Sequence, residues 1–163
     1  MNSSNYKILV TGGTGYIGSH TSVKLLHEGF SIVLIDNLSN SSIKVLNRIK
    51  ELTNINFDFI EGDIRDKRLL RRIFKEHKFD AVIHFAGLKA VRESEEKPLN
   101  YFENNISGSI VLLNEMDRAN VNCLVFSSSA TVYGEPTETK CNEDSQLCPK
   151  NIYGQTKLIV ENI

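Results

Sequence analysis

No apolar run in the 163 residues approaches the length of about 18 that a membrane-spanning helix needs. The segment Met1 to Lys7 is polar and has no apolar stretch of the kind a secretory leader carries. Cysteine is scarce. Cys123, Cys141 and Cys148 make an odd set whose spacing fits neither a zinc site nor a disulfide framework. Together these absences point to a reducing cytoplasm. Ten glycines and three prolines exclude collagen-like and Pro/Gly-rich low-complexity chains. An excess of one charge is lacking too. Nineteen basic residues meet twenty acidic ones, a net charge of −1. That argues against a nucleic-acid or acidic-membrane binder working by bulk charge. The four histidines, His20, His27, His77 and His84, are scattered with no Cys or carboxylate at ligand spacing. They are read as structural, with no metal site expected.

What is present is a globular composition, 40% hydrophobic and 24% charged, enough for one domain with a full core. Short apolar runs recur at Lys7–Thr11, Ser31–Ile35, Asn56–Ile60, Ala81–Phe85 and Cys123–Ser127. Their hydrophobicity is continuous rather than alternating, which suits strands buried on both faces of a parallel sheet. Between them lie stretches long enough for crossover helices: Tyr16–Glu28, Ser42–Leu52, Lys67–His77 and Asn104–Arg118. The second puts Val45, Leu46, Ile49 and Leu52 on one side. The third is rich in Arg and Lys, which is read as the solvated face of an amphipathic helix. The order βαβαβαβαβ predicts an α/β fold of the Rossmann type, a doubly wound parallel sheet with helices on both faces.

The first run stops at Thr11-Gly-Gly-Thr-Gly-Tyr-Ile-Gly18. Gly13, Gly15 and Gly18 fit G-x-G-x-x-G, and Gly12, Gly15 and Gly18 fit the related G-x-x-G-x-x-G. A strand before and a helix after give the motif its meaning. The chain must turn tightly, then bring backbone close to a pyrophosphate at a helix N-terminus. The second strand ends in Asp36, 18 residues after Gly18. That is near the spacing of the acid that accepts from an adenosine ribose. A carboxylate there repels a 2′-phosphate, and no Arg stands within Asn37 to Ser42, so NAD is favoured over NADP. The third strand ends at Glu61-Gly-Asp63-Ile64 and the fourth at Phe85-Ala-Gly87, again at the carboxyl ends where such sheets place a ligand.

The fifth strand runs into Ser127-Ser-Ser129-Ala-Thr131, and Tyr153 and Lys157 follow four residues apart. On a helix that spacing puts both on one face. A tyrosine serves as general base through its phenolate, which a nearby lysine and an oxidised nicotinamide both favour. A serine hydroxyl can hold the reacting alcohol. Proton removal by Tyr and hydride removal by NAD are the two halves of an alcohol oxidation. Between Ser129 and Tyr153 the stretch Val132 to Ile152, with Gly134, Pro136 and Pro149, is expected to be a loop over the nicotinamide end of the cleft.

With these residues in view, the sequence resembles the extended short-chain dehydrogenase/reductase family, and within it the nucleotide-sugar 4-epimerases. The resemblance is carried by Thr11 to His20, by Asp36-Asn-Leu-Ser-Asn40 and by Val82-Ile-His-Phe-Ala-Gly-Leu-Lys-Ala-Val91. Phe126-Ser-Ser-Ser-Ala-Thr-Val-Tyr-Gly134 and Tyr153-x-x-x-Lys157 complete it. It covers essentially the whole chain as one NAD-binding domain, residues 1–163. Related 4,6-dehydratases usually place an Asp-Glu pair before the Val-Tyr-Gly. Ala130 and Thr131 stand there instead.

The resemblance implies roles for individual residues. Gly12, Gly13, Gly15, Tyr16, Ile17 and Gly18 would follow the pyrophosphate. Asp36, Asn37, Leu38, Ser39, Asn40 and Ser41 would surround the adenosine ribose, and Asp63 and Ile64 would meet the adenine. Phe85, Ala86, Gly87, Lys89 and Asn104 would line the cofactor toward the nicotinamide. Ser129 and Tyr153 would flank the O4 of a UDP-hexose, with Lys89 beside the substrate. Lys157 would hold the nicotinamide ribose and tune Tyr153. A homodimer built by pairing the helix from Asn104 with the helix carrying Tyr153 is also implied, although the residues themselves leave the oligomeric state open. Two departures stand out. Arg92 occupies a place where the family usually has Gly before Glu-Ser, which implies altered substrate contacts or loop shape. Family members are also much longer, and the part beyond residue 163 builds their uridine-nucleotide and sugar pocket. The competing readings are an NAD-binding module without turnover and another nucleotide-sugar epimerase or dehydratase of the same family.

Overall fold

Five parallel strands carry the structure, a computed structural model that describes residues 6–135 and 140–163. Met1 to Asn5 of the polar N-terminal segment and Pro136 of the expected loop lie outside the described residues. The strands are β1 (Lys7–Thr11), β2 (Ser31–Asp36), β3 (Asp58–Glu61), β4 (Ala81–His84) and β5 (Leu124–Phe126). Their order is β3-β2-β1-β4-β5. β1 pairs with both β2 and β4, Val10 opposite Leu34 on one side and Ile83 on the other. The chain therefore winds outward from β1 in one direction, returns, and winds outward in the other. The reversal falls between β1 and β4, where such a sheet opens a crevice at its carboxyl edge.

The helices are α1 (Tyr16–His27), α2 (Lys44–Thr53), α3 (Lys67–Glu76), α4 (Val91–Glu96), α5 (Pro98–Tyr101), α6 (Gly108–Arg118) and α7 (Ile152–Glu161). A π-helical turn, Phe102–Ser107, joins α5 to α6, and a 3-10 turn covers Ala130–Tyr133. None is long and apolar enough to cross a membrane among the described residues. The described residues group into two compact units, 6–86 with 111–126, and 87–110 with 127–135 and 140–163.

The first unit holds the whole sheet. Successive residues of a strand point to opposite faces, and both faces are covered. Leu9, Val33, Ile35 and Val82 pack with Leu70, Ile73 and Phe74 of α3 and Leu112 and Met116 of α6. Ile8, Val10, Ile32 and Leu34 pack with Leu26 of α1 and Ile49 of α2. The consecutive apolar residues Ile8 to Val10 and Ile32 to Ile35 follow from that double coverage, which is why β1 and β2 read as unbroken runs. α3 begins at Asp66, whose carboxylate accepts from Arg68 N at 2.9 Å and Leu69 N at 3.0 Å. It buries Leu70, Ile73 and Phe74 and turns most of its basic residues to solvent. Arg71 is the exception in part. It forks onto Glu115, a carboxylate only 2% exposed, which Arg118 also grips.

The boundaries differ from the expectation in instructive places. β3 starts at Asp58 and β5 is only three residues long; both are edge strands, where one neighbour is missing. α2 starts two residues late, and Leu52 is half exposed rather than on the buried side. The helix expected from Asn104 is preceded by the π turn and by α5, which begins with Pro98 at its first turn. Pro suits that position because its missing N–H has no partner there anyway.

The second unit is helical. α7 packs with α4, α5, the π turn and the 3-10 turn. The expected loop starts with that 3-10 turn. Its described remainder is irregular, returning through Cys148 N, which donates to Val132 O at 2.9 Å.

Candidate functional site

The glycine turn is built by close approach. Gly12 has φ +68°, and its N–H donates to Ile35 O at 2.9 Å. A Cβ at Gly12 would stand 2.7 Å from the Ala86 backbone N, and one at Gly18 would overlap the Gly12 carbonyl. Gly13 lies against the Leu34 side chain, while a Cβ at Gly15 would meet only the Gly12 carbonyl oxygen, at 3.3 Å. Gly15 is the N-cap of α1, and no side chain caps it. The first-turn N–H groups and the positive end of the helix dipole thus face the exposed Tyr16 and Ile17 end of the turn. These features fit a pyrophosphate: backbone without side chains, donors without a cap, and no carboxylate in the first turn.

At the end of β2, Asp36 is buried and already engaged. Its Oδ2 accepts from Thr14 N at 3.1 Å, and its Oδ1 accepts from Leu38 N at 2.9 Å and Ser41 Oγ at 3.1 Å. The Thr14 hydroxyl sits 2.7 Å from Ser41 Oγ. Leu38 takes a left-handed φ of +56°, costly for a side chain with a Cβ, and the Asp36 bond holds it there. Asn37 Oδ1 accepts from Ser39 N, and Asn37 Nδ2 donates to Asp63 Oδ2 at 2.9 Å. Ser39 and Asn40 are exposed. A carboxylate has about four acceptor positions. Two of those on Asp36 serve its own loop and a third takes the Thr14 N–H of the glycine turn, so one remains for a ribose hydroxyl. Asp36 is therefore as much a loop organiser as a ligand contact.

Asp63 is more fully committed. Arg65 N and Nε both donate to its Oδ1 at 2.9 Å, and Arg65 Nη2 donates to Oδ2 at 2.8 Å beside Asn37. The Arg65 hydrogen bond holds the Asp63 carboxyl down to about 2. Ile64 spends its side chain in the core. Phe85 N donates to Thr11 O at 3.0 Å. Ala86 N donates to Thr11 Oγ1 at 3.3 Å, and that hydroxyl lies 2.6 Å from His84 Nδ1. His84 is buried, bonded and tilted against Phe126.

The second unit collects Gly87, Lys89, Asn104, Ser129, Tyr153 and Lys157. Tyr153 and Lys157 share a face of α7, with Lys157 Nζ 5.9 Å from the centre of the Tyr153 ring. Lys157 is buried, and its Nζ donates to Ser127 O at 2.9 Å. Burial pulls its ammonium down from 10.5 to about 8. Ser129 caps the 3-10 turn, accepting from Thr131 N at 3.2 Å and from Thr131 Oγ1 at 2.9 Å, so its own proton stays available to donate. The neighbouring Ser128 Oγ is buried with no partner among the described residues, an orphan donor that a bound group would satisfy. Lys89 is exposed. Arg92 lies on the outside of α4, paired with Glu96 at 3.1 Å.

Five residues were missed by sequence reasoning. Asn105, rather than Asn104, is the buried amide. Its Oδ1 accepts from Leu88 N at 2.8 Å, and its Nδ2 reaches Leu88 O and Thr156 Oγ1 at 3.0 Å each. Thr156 Oγ1 donates in turn to Tyr153 O at 2.7 Å. Asn104 is half-buried and donates to Asn105 Oδ1. Ser94 Oγ accepts from Tyr153 N at 3.2 Å and Glu95 from Ile152 N at 2.8 Å, so α4 caps the start of α7. Tyr101 is fully buried, accepts from Ala90 N at 3.0 Å and shares its proton between Ala90 O and Glu93. Burial and the Glu93 carboxylate push its hydroxyl up to about 12.

A sheet that reverses at β1, a glycine turn opening α1 and a Tyr153–Lys157 helix define the class: a Rossmann-type domain of the extended short-chain dehydrogenase/reductases. A family model described as GDP-mannose 4,6 dehydratase matches residues 9–163, and the chain belongs to that family. It is 56% identical over 158 residues to a UDP-glucose 4-epimerase of Neisseria meningitidis serogroup C, covering 96% of this chain and 47% of that protein. It is 53% identical over 156 residues to a UDP-glucose 4-epimerase of Bacillus subtilis strain 168, covering 96% and 46%. Among solved structures it superposes on a Stenotrophomonas maltophila UDP-glucose-4-epimerase with bound NAD and formylated UDP-arabinopyranose. The TM-score is 0.94 and the identity 48%, covering 97% of this chain and 47% of that one. It also superposes on a Bifidobacterium longum UDP-glucose 4-epimerase in complex with NAD+ and UDP, with TM-score 0.94 and 44% identity, covering 96% and 47%. The chain thus spans about half the length of the curated relatives it matches.

Proposed function

We propose that residues 1–163 are the NAD-binding domain of a UDP-glucose 4-epimerase, interconverting UDP-galactose and UDP-glucose. The observation that carries this reading is the Tyr153–Lys157 pair on α7, preceded by Ser129 and by Ala130–Thr131 where dehydratases carry an acid pair. Without that pair water elimination has no acid and base, so the chemistry stops at oxidation and reduction of one alcohol. NAD, held by the glycine turn, Asp36 and Lys157, would supply the acceptor and donor of a hydride. Tyr153 would take the proton from the sugar O4 as that alcohol is oxidised to a 4-keto sugar. Ser129 donates to that oxygen. Lys157 keeps positive charge beside the phenolate and holds the nicotinamide ribose. After the keto sugar turns over, Tyr153 returns the proton to O4, and C4 is reduced from its other face. Lys89 contributes to the substrate side. A homodimer and a reducing cytoplasm complete the reading; three free, exposed cysteines fit such a compartment.

The test is direct. The purified chain is denatured and the supernatant examined for NAD, then conversion of UDP-galactose is assayed after the second half found in the relatives has been joined on. NAD in the first step with conversion in the second is expected. A chain that releases no nucleotide and binds none on titration would remove the cofactor reading.

A further inference from the structure

We propose that Thr14 is a positioning residue of the ribose site: its hydroxyl, relayed through Ser41, fixes the Asp36 carboxylate that receives a ribose hydroxyl. This deepens, and rests on, the NAD reading above. Thr14 stands at the position the glycine pattern leaves open, between Gly13 and Gly15. Nothing in that pattern requires a hydroxyl there. Yet Thr14 is only 2% exposed and Asp36 8%. The direction of each proton follows from the chemistry. A carboxylate only accepts, so Ser41 Oγ gives its single proton to Asp36 Oδ1 at 3.1 Å. Ser41 then has no proton left for Thr14, so the Thr14 hydroxyl is the donor across the 2.7 Å between them. The Thr14 N–H meanwhile donates to Asp36 Oδ2 at 3.1 Å. One residue of the glycine turn thus reaches both carboxylate oxygens, one directly and the other through Ser41.

The closed ring does two things. It stops the carboxylate from turning, so the acceptor left for a ribose is aimed before the ligand arrives. It also lines up two hydroxyl dipoles toward Oδ1, and bonds in such a chain strengthen one another where water is excluded. Without the Thr14 hydroxyl, Ser41 is free to swing away and water to take its place on Oδ1. The ribose must then order the carboxylate as it binds, which costs affinity.

The experiment titrates the whole chain with ADP and with ADP carrying a 2′,3′-dideoxyribose. Adenine and phosphate contacts are common to both, so the ratio of dissociation constants isolates the ribose hydroxyls. Thr14→Val keeps the shape and removes the hydroxyl. It should shrink the wild-type preference for ADP by about fivefold, the worth of one hydrogen bond, and leave affinity for the dideoxy form within about twofold. Thr14→Ser returns the hydroxyl and should return the ratio. Ser41→Ala should shrink the ratio as Thr14→Val does, and the double variant no further, because the two act in series. Equal weakening of both nucleotides in Thr14→Val overturns the proposal, since a merely loosened turn does not tell them apart. So does a Thr14→Val ratio like that of the wild type, or a double variant whose losses add. A wild type that binds neither nucleotide, or binds both alike, fails the reading of Asp36 as the ribose acceptor, and the proposal with it.

Discussion

Lys157 Nζ donates to the Ser127 carbonyl at 2.9 Å, and the cost of burying that ammonium shows in its lowered pKa. The group is held near 8 rather than 10.5. Below pH 8 it is charged in both folded and unfolded chains, and the folded state bears the full cost of burial. Between about 8 and 10.5 the unfolded chain binds more protons than the folded one, so stability rises with pH. The rise attributable to Lys157 is about 3 kcal/mol. Urea midpoints of the cofactor-free chain at about pH 7 and about pH 10 should show it, and Lys157→Met should lack it. An equal rise in both proteins would show that other groups are responsible.

Tyr153 presents its ring beside the same lysine. In a protein extended with the second half of its relatives, Tyr153→Phe should lower epimerisation by at least ~10²-fold, as expected for a lost acid–base group. NAD content and the circular dichroism spectrum should stay as they are. Activity within a few-fold of wild type would take Tyr153 out of the chemistry.

Ser94 makes a different kind of contribution. It is fully buried on α4, and its hydroxyl receives the Tyr153 backbone N–H. Ser94→Ala removes an N-terminal cap of α7 and should cost about 1 kcal/mol in unfolding free energy. In the extended protein the effect should reach kcat more than KM, because the side chain that shifts is the proposed base. A loss confined to KM would place Ser94 in substrate binding instead.

Gly18 and Gly12 touch at the glycine turn. Gly18→Ala drives a methyl into the Gly12 carbonyl, and backbone cannot yield as a side-chain tip can. The turn must open, so NAD affinity should fall by at least about tenfold. Equilibrium dialysis against NAD measures it. Gly15→Ala, with only one neighbouring atom at 3.3 Å, should be milder.

How much of this was legible depended on how local the cause was. β1 and β2 are readable because Ile8 to Thr11 and Ile32 to Asp36 are all buried, on alternating covered sides of the sheet. The glycine turn and the Tyr153–Lys157 spacing are readable because a motif of few residues states the chemistry. α4 was not legible: Val91 to Glu96 carries five polar residues and no apolar period. The commitments of Asp36 and Asp63 were only partly legible. Leu38, Ser41 and Arg65 are close along the chain, but Thr14 and Asn37 come from other loops, 22 and 26 residues away. The caps of α7 lie 57 and 59 residues upstream, beyond any local pattern. Asn104 enters through the resemblance, and the buried amide of Asn105 beside it was not legible. The π turn inserts a residue and rotates the following face, so the amide that turns inward is the next one.

That rotation gives Asn105 a decisive place. Its single amide matches both backbone groups of Leu88, as a neighbouring strand would, and passes a second N–H bond to Thr156, whose hydroxyl holds the Tyr153 carbonyl. Segment 87–89 and helix α7 are thus referred to one side chain that is only 4% exposed. Asn105→Leu fills the space but strips Leu88 N–H and C=O of their partners at a buried position. Each unsatisfied group costs about 1–3 kcal/mol, so the variant should lose roughly 2–5 kcal/mol of stability. Asn105→Asp separates acceptor from donor. It keeps the bond from Leu88 N–H, loses the two donated bonds and sets a carboxylate against the Leu88 carbonyl. Its loss should equal or exceed that of the leucine variant at neutral pH and shrink in acid, where a protonated carboxyl regains one donor. Thermal melts across that pH range decide the matter. If Asn105→Asp melts like wild type at neutral pH, the donated bonds carry no weight and the link from Leu88 to Tyr153 through Asn105 is broken.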